Sequence, residues 1–333
     1  MNIHNDQSDT TLTAGLQATL DGLRQERAFS ASRYIAEKAE LLNGYMRHCN
    51  LKACVVAVSG GIDSAVVLGL VANAAKQEGS PIERIVPVLL PVFDRDAATN
   101  QDVALIRGRE VCAAFDLDHE SLALNLSWAY AELQKLVDEG MGVKGEGWAS
   151  GQLVAYTRTP ALYYITSLLS QQGTPGILVG TTNRDEGAYI GFFGKASDGL
   201  VDVQLISDLH KSEVFAVGAE LKAPPSVLEA VPTGDMYDGR VDEVVFGAPY
   251  DFVELFLQFK GFSREHAKAI WDGWAEADQE RYAMLSERLE AMHRYNAHKY
   301  FGKSPAVHLN AVNDPKVRGA WDYKVFDLDW VRR

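Results

Sequence analysis

The sequence of 333 residues holds only three cysteines, Cys49, Cys54 and Cys112, and no two of them stand in a CxxC spacing. An odd number without that spacing indicates neither a zinc site nor a disulfide framework, and it suits a reducing cytoplasm. Long apolar runs are also missing. No uninterrupted stretch reaches the roughly 18 residues that a membrane span needs, and the opening MNIHNDQSDTTLTAG lacks the basic-then-apolar order of a secretory signal. Positive charge is in deficit, with 32 Lys and Arg against 45 Asp and Glu and a formal net charge of -13. A polyanion meets average repulsion from such a chain, so nucleic acid is a poor partner. The expectation is a cytoplasmic protein that uses neither membrane nor nucleic acid.

What is there is enough to build a substantial core: 47% of residues are hydrophobic and 23% charged, the balance of a globular enzyme. No internal repeat or low-complexity block is present. Residues 1–14 read as a flexible tail and 15–333 as one domain with a helical N-terminal segment and a C-terminal extension. Leu16, Leu20 and Leu23, then Ile35, Leu41, Leu42 and Tyr45, recur at helical spacing, which predicts two helices or one broken helix before residue 46. Residues 52–58 (KACVVAV) are a short, β-branched apolar run, the pattern of a strand buried on both faces, and 63–75 switch to helix formers.

The same order recurs as strand 84–90, helix 99–115 and a short strand at 118–123, then helix 154–171, with Pro160 as a place to kink, and strand 176–180. Strands alternating with helices predict an α/β fold, a doubly wound parallel sheet flanked by helices, with helical additions at both ends. Gly140, Gly142, Gly145, Gly147 and Gly151 predict a loop over 140–151, either a mobile connection or a substrate lid. From about residue 249 the chain is helical again, acid- and base-rich over 275–294, and it closes in an aromatic-bearing tail, 321–330.

Between the first strand and its helix stands Ser59-Gly60-Gly61-Ile62-Asp63-Ser64. In a doubly wound sheet, ligands bind outside the carboxyl ends of the strands, and a glycine turn entering a helix offers unpaired N–H groups to an anion. Gly60 and Gly61 allow close approach, and the Ser59 and Ser64 hydroxyls can donate to phosphate oxygens. The turn is neither a Walker A loop nor a GxGxxG fingerprint. Asp63 would repel a phosphate unless a divalent cation lay between them. A turn whose Asp merely caps a helix is the plainer alternative.

The hexapeptide resembles the pyrophosphate-binding motif of the N-type ATP pyrophosphatases, whose fold is adenine nucleotide alpha hydrolase-like. Further on, Gly180-Thr181-Thr182-Asn183-Arg184-Asp185-Glu186, Gly191-Phe192-Phe193-Gly194-Lys195 and Asp198-Gly199 resemble the NAD synthetase signature. Asp202, Asp208-Leu209-His210-Lys211, Pro232-Thr233-Gly234-Asp235, Asp242-Glu243, Gly247 and Tyr250-Asp251 continue it, over about residues 34–299.

The resemblance implies ATP-dependent amidation of deamido-NAD through an acyl-adenylate, with ammonia as nitrogen donor and AMP and pyrophosphate as products. It implies that Asp63 and Glu186 bind Mg²⁺. ATP would be held by the turn of Ala57, Val58, Ser59, Gly60, Gly61, Ile62, Asp63 and Ser64 together with Thr181, Lys211 and Thr233, of which Asp63, Lys211 and Thr233 would serve catalysis. Arg158, Lys195, Asp202, His298 and Lys299 would hold deamido-NAD. One extra residue between Glu186 and Gly191 leaves Asp185 as an alternative metal ligand. A structural ion pair is the alternative for Arg158, which stands in an apolar helical stretch, and complementing a helix dipole is the alternative for His298 and Lys299.

The roughly fifty residues before Lys52 are too few for a glutaminase domain, so free ammonia, or ammonia from a separate protein, is expected. The resemblance also implies a homodimer, to which the helices before residue 46 and the segment 163–169 could offer apolar faces. The loops 140–151 and 189–197 are candidates for ordering on binding. Two other readings stay open: another ATP pyrophosphatase, such as one amidating nicotinate mononucleotide, and a nucleotide-binding module without turnover.

Overall fold

The computed structural model describes residues 11–93, 101–234, 240–299, 306–312 and 325–332. Most of the expected N-terminal tail, residues 99–100 of the expected helix, Asp235 and residues 321–324 lie outside them. Helical periodicity before residue 46 becomes two helices, α1 (Ala14–Arg27) and α2 (Ala31–His48), broken where Ala28 takes a left-handed backbone. Ser30 caps α2 by accepting the Arg33 N–H. Leu16, Leu20 and Leu23 of α1 and Ile35, Leu41, Leu42 and Met46 of α2 are all buried inside this chain. That face, expected to be available to a partner, is therefore spent on the protein's own core.

The alternating segments follow: β1 (Ala53–Ala57), α3 (Ile62–Ala75), β2 (Arg84–Leu89), α4 (Gln101–Ala114), β3 (Leu122–Ala123), α5 (Ser127–Met141), α6 (Trp148–Gln171) and β4 (Gly176–Gly180). Beyond them come α7 (Arg184–Gly187), β5 (Val203–Gln204), α8 (Lys211–Glu220), α9 (Pro225–Leu228) and α10 (Asp242–Phe246). The chain then runs through α11 (Tyr250–Gly261), α12 (Arg264–Gly273) and α13 (Glu276–Asn296), and closes with β6 (Val307–Asn310), β7 (Val325–Asp327) and α14 (Leu328–Val331).

The seven strands among the described residues form one parallel sheet in the order β3-β2-β1-β4-β5-β6-β7. The chain winds outward from β1 through β2 to β3, then returns to the other side of β1 for β4, with Ala53 facing both Arg84 and Gly176. The order reverses between β1 and β4, and the crevice outside their carboxyl ends is where such sheets bind ligands. Helices α2, α3 and α8 cover one face of the sheet, and α6 covers the other through Leu162, Ile165 and Leu169. A separate helical layer joins α1 to α11 and α13 around Leu16, Leu20, Phe252 and Leu285. No helix among the described residues is long and apolar enough to cross a membrane.

Three local expectations change. The strand at 118–123 is instead a 3₁₀ turn, Asp118–Glu120, and only Leu122 and Ala123, both exposed at the sheet edge, pair with β2. Half of the five-glycine stretch is helix: α5 runs through Gly140, and α6 starts at Trp148 and buries Gly151. Only 142–147 remain as loop, beginning at Gly142, whose φ of 65° caps α5. The C-terminal extension adds two strands to the sheet, which short runs such as VHLN and VFD do not announce.

Candidate active site

The turn after β1 is built from its own hydroxyls. Ser64 Oγ donates to the Gly61 carbonyl (2.9 Å) and accepts from Ser59 N (3.2 Å), while Gly61 N donates to Ser59 Oγ (3.3 Å). Gly60 has a φ of 81°, and a Cβ there would sit 2.4 Å from the Ala104 carbonyl oxygen of α4, so both backbone angle and space require glycine. Gly61 caps α3 without a side-chain hydrogen bond, which leaves the first N–H groups of that helix directed outward. Asp63 lies in the first turn of α3 and is not its cap.

A cleft of ≈ 670 Å³ opens here at the switch point. Ala57, Val58, Ser59, Gly60, Gly61, Ile62, Asp63 and Ser64 line it, as do Thr181, Lys211 and Thr233. Glu186 and Arg158 face the same space. Lys195, by contrast, is exposed outside it. The Asp202 carboxylate accepts the Leu178 N–H (2.7 Å) at the start of β5. His298 is exposed, and its Nδ1 lies 3.2 Å from the Tyr295 carbonyl. Lys299 donates to the Gly191 and Phe193 carbonyls (2.8 and 2.5 Å), which ties down the loop 189–197. Of the five residues expected on the dinucleotide, the folded chain brings only Arg158 to the cleft. Its Nε donates to the Leu90 carbonyl and its Nη2 to Gln101 Oε1, both at 3.1 Å.

Charge is concentrated where the loops after β1, β4 and β5 meet. Lys211 Nζ lies 2.6 Å from Asp63 Oδ2 and 3.1 Å from Glu186 Oε1. The Asn183 amide donates to both carboxylates, at 2.8 and 2.7 Å. Tyr250 OH bridges Glu186 Oε1 (3.0 Å) and Asp242 Oδ2 (2.8 Å). Asn183, Tyr250 and Asp242 were not among the expected site residues. Tyr250 and Asp242 stand in the matching motifs, and Asn183 stands three places before Glu186, so the signal for them was position alone. Asp185 points the other way: it is fully buried, bonded to His210 Nδ1 (2.6 Å) and to Lys211 N (2.7 Å). Of the two acids, Glu186 is the one placed beside Asp63.

Three carboxylates share one ammonium, and the ionisation of the cluster reflects it. Burial pushes Glu186 up to about 7, with Asp63 and Asp242 adding to the rise against the pull of Lys211. Burial would lower the Lys211 ammonium, but Asp63 and Glu186 reverse this and hold it above its ordinary value. Asp242 is also raised, by burial first, and its Oδ1 is buried without a hydrogen-bond partner among the described residues. The cluster is short of positive charge. Among the described residues no three His, Cys, Asp or Glu side chains form a metal cage. Two adjacent carboxylates fit Mg²⁺ nonetheless, because that ion takes most of its oxygens from phosphate and water.

Because the folded value of Glu186 lies above the unfolded one, its protonated form contributes stability that is present below the ordinary carboxylate range and is lost as pH rises through about 7. The thermal midpoint of the ligand-free protein is expected to fall relative to Glu186→Gln between about pH 5 and about pH 8. Parallel melting curves for the two proteins across that range would contradict it.

A model of the NAD synthase family matches residues 34–301. The chain belongs to that family. Within the NAD synthase family it is 28% identical, over 250 residues, to the NH(3)-dependent NAD(+) synthetase of Thermoplasma acidophilum, covering 74% of this chain and 88% of that protein. It is 32% identical over 243 residues to the NH(3)-dependent NAD(+) synthetase of Alkaliphilus metalliredigens, covering 71% and 92%. Among solved structures, NMN synthetase from Francisella tularensis is similar with a TM-score of 0.64 at 24% identity, covering 81% of this chain and 96% of that one. NH3-dependent NAD synthetase from Campylobacter jejuni gives a TM-score of 0.57 at 19% identity, with 81% and 96% covered. These structures share the fold of this chain.

Proposed function

We propose that this chain is an ammonia-dependent NAD synthetase. A nicotinate carboxylate oxygen of deamido-NAD attacks the α-phosphorus of ATP, and the bond to the bridging oxygen breaks to release pyrophosphate. Ammonia then adds to the acyl carbon of the adenylate, loses a proton and expels AMP, leaving the amide of NAD. The observation that carries this reading is the convergence, in one cleft, of the glycine turn, Lys211, Thr181, Thr233 and the Asp63–Glu186 pair.

Negative charge grows on the α-phosphate and on the leaving pyrophosphate, so donors aimed at those oxygens dominate catalysis. The N–H groups at the start of α3, Thr181 and Thr233 line that space, and the Lys211 ammonium, held between Asp63 and Glu186, adds a positive charge beside the leaving group. Asp63 and Glu186 would hold Mg²⁺, which supplies countercharge to the phosphate oxygens. Arg158, held by Leu90 and Gln101, lines the same cleft and would place a guanidinium near the acceptor.

The deciding experiment is pyrophosphate release from ATP and Mg²⁺ with ammonium, comparing deamido-NAD, nicotinate mononucleotide, xanthosine monophosphate and no acceptor. Release that requires deamido-NAD and yields NAD and AMP supports the reading. Release driven by another acceptor alone overturns its substrate.

The family implication of a homodimer is kept, with the surface moved off the first two helices and the segment 163–169 retained through Tyr164. Trp128, Leu136 and Met141 of α5 and Trp148 and Tyr164 of α6 are large apolar residues left exposed on two helices that pack together. Sedimentation is expected to give a dimer, and Trp128→Glu with Tyr164→Glu to shift it toward monomer; a wild-type monomer at working concentration would sink the assignment.

A further inference from the structure

Directly behind the Glu186–Lys211 contact lies a second pair, one residue upstream on each loop. Asp185 precedes Glu186, His210 precedes Lys211, and neither is exposed at all. Asp185 Oδ1 meets His210 Nδ1 at 2.6 Å, and Asp185 Oδ2 accepts the backbone N–H of Lys211 at 2.7 Å. The backbones are joined alongside, with Arg184 N donating to the Leu209 carbonyl at 2.8 Å. His210 N donates to Glu213 Oε2 (3.0 Å), whose carboxylate also accepts from Arg27 Nη2 (3.0 Å). His210 Nε2 is buried without a hydrogen-bond partner among the described residues, so the ring is oriented through Nδ1.

We propose that Asp185 and His210 are positioning residues for the reaction, acting through Glu186 and Lys211. Asp185 caps α8 from outside by taking the first N–H of that helix, a group with no partner inside it. The imidazole holds the other oxygen of the same carboxylate, so the loop after β4 and the start of α8 are locked in one register. Lys211 carries its charge on a flexible four-carbon stem. Its ammonium reaches a defined place between Asp63 and Glu186 because the backbone at its root is fixed. The same lock keeps Glu186 turned toward the cleft and Asp185 away from it. This role rests on the proposed use of ATP at the site.

A buried pair could equally serve stability alone, and two variants of one residue separate the roles. Asparagine at position 210 places its amide where imidazole Nδ1 stands, whereas glutamine reaches the place of Nε2. His210→Asn therefore preserves the bond to Asp185 and His210→Gln displaces it, at similar polarity. ATP affinity by calorimetry, kcat, KM for deamido-NAD and the thermal midpoint are read for both, well below their melting temperatures.

The expected result is a loss of about tenfold or more in kcat and in ATP affinity for His210→Gln, with His210→Asn within about threefold of wild type and KM for deamido-NAD little changed in either. Equal kcat and equal ATP affinity in the two variants overturns the proposal. Should His210→Gln not fold, Asp185→Ala decides, since it removes both the bond to Lys211 N and the bond to the imidazole: a loss of about tenfold or more in kcat and in ATP affinity in the folded variant, with KM for deamido-NAD little changed, supports the role, and values within about threefold of wild type overturn it. Calorimetry with ATP needs no acceptor, so failure of the deamido-NAD reaction in wild type is recognised separately from failure of this role.

Discussion

Asp63→Asn is expected to lower pyrophosphate release by about 10³-fold or more while leaving the protein folded. The substitution keeps size and removes one charge from a place where two loops meet on that charge: Asp63 Oδ2 faces Lys211 Nζ at 2.6 Å and Oδ1 faces the Asn183 amide at 2.8 Å. An amide there turns N–H groups toward one of those donors and cannot replace the carboxylate as a ligand for a hard cation. Folding should survive because Asp63 is one of three carboxylates that repel one another, and its charge contributes to the raised Glu186. Stopped-flow pyrophosphate detection with deamido-NAD present, beside circular dichroism, checks both halves. Activity within about tenfold of wild type would remove Asp63 from the mechanism.

The second large effect lies outside the cleft. Lys38→Met is expected to destabilise the protein by about 3–5 kcal/mol. Lys38 and Asp208 form an ion pair at 3.1 Å with each side chain only 1% exposed, so neither charge has water to fall back on. Asp208 also accepts from Tyr34 OH (2.7 Å) and Ala311 N (2.7 Å), and Lys38 donates to the Leu309 carbonyl. The cluster joins α2, the segment leading to Lys211 and the end of β6. Burial lowers the Lys38 ammonium against the pull of Asp208 and raises the Tyr34 hydroxyl. Methionine fills the stem's volume but leaves the carboxylate buried without its countercharge. Urea unfolding measures the loss, and Lys38→Met with Asp208→Asn should recover part of it. A single-variant change below about 1 kcal/mol would mean that hydrogen bonds alone satisfy Asp208.

How the site was legible differs from residue to residue. The glycine turn could be read because its neighbours in sequence are its neighbours in space: Ser59, Gly61 and Ser64 bond to one another within six residues. Asp185 and Glu186 could not be told apart, since adjacent residues on a four-residue helix differ only in which way they point. Asn183, Asp242 and Tyr250 stood in recognisable motifs, but nothing local says that one amide or one phenol bridges two carboxylates from different loops.

The sequence by itself determined the alternating architecture, the phosphate-shaped turn and the family, because hydrophobic periodicity, glycine placement and motif order are properties of short stretches. Only the tertiary structure decided which acid faces Asp63, what holds Lys211, that the first two helices bury their apolar faces internally, and that the last residues extend the sheet. Those outcomes depend on charges and strands brought together from different loops, 25 positions apart for Asp185 and His210 and 148 for Asp63 and Lys211. Their energies come from burial and pairing that no local stretch contains.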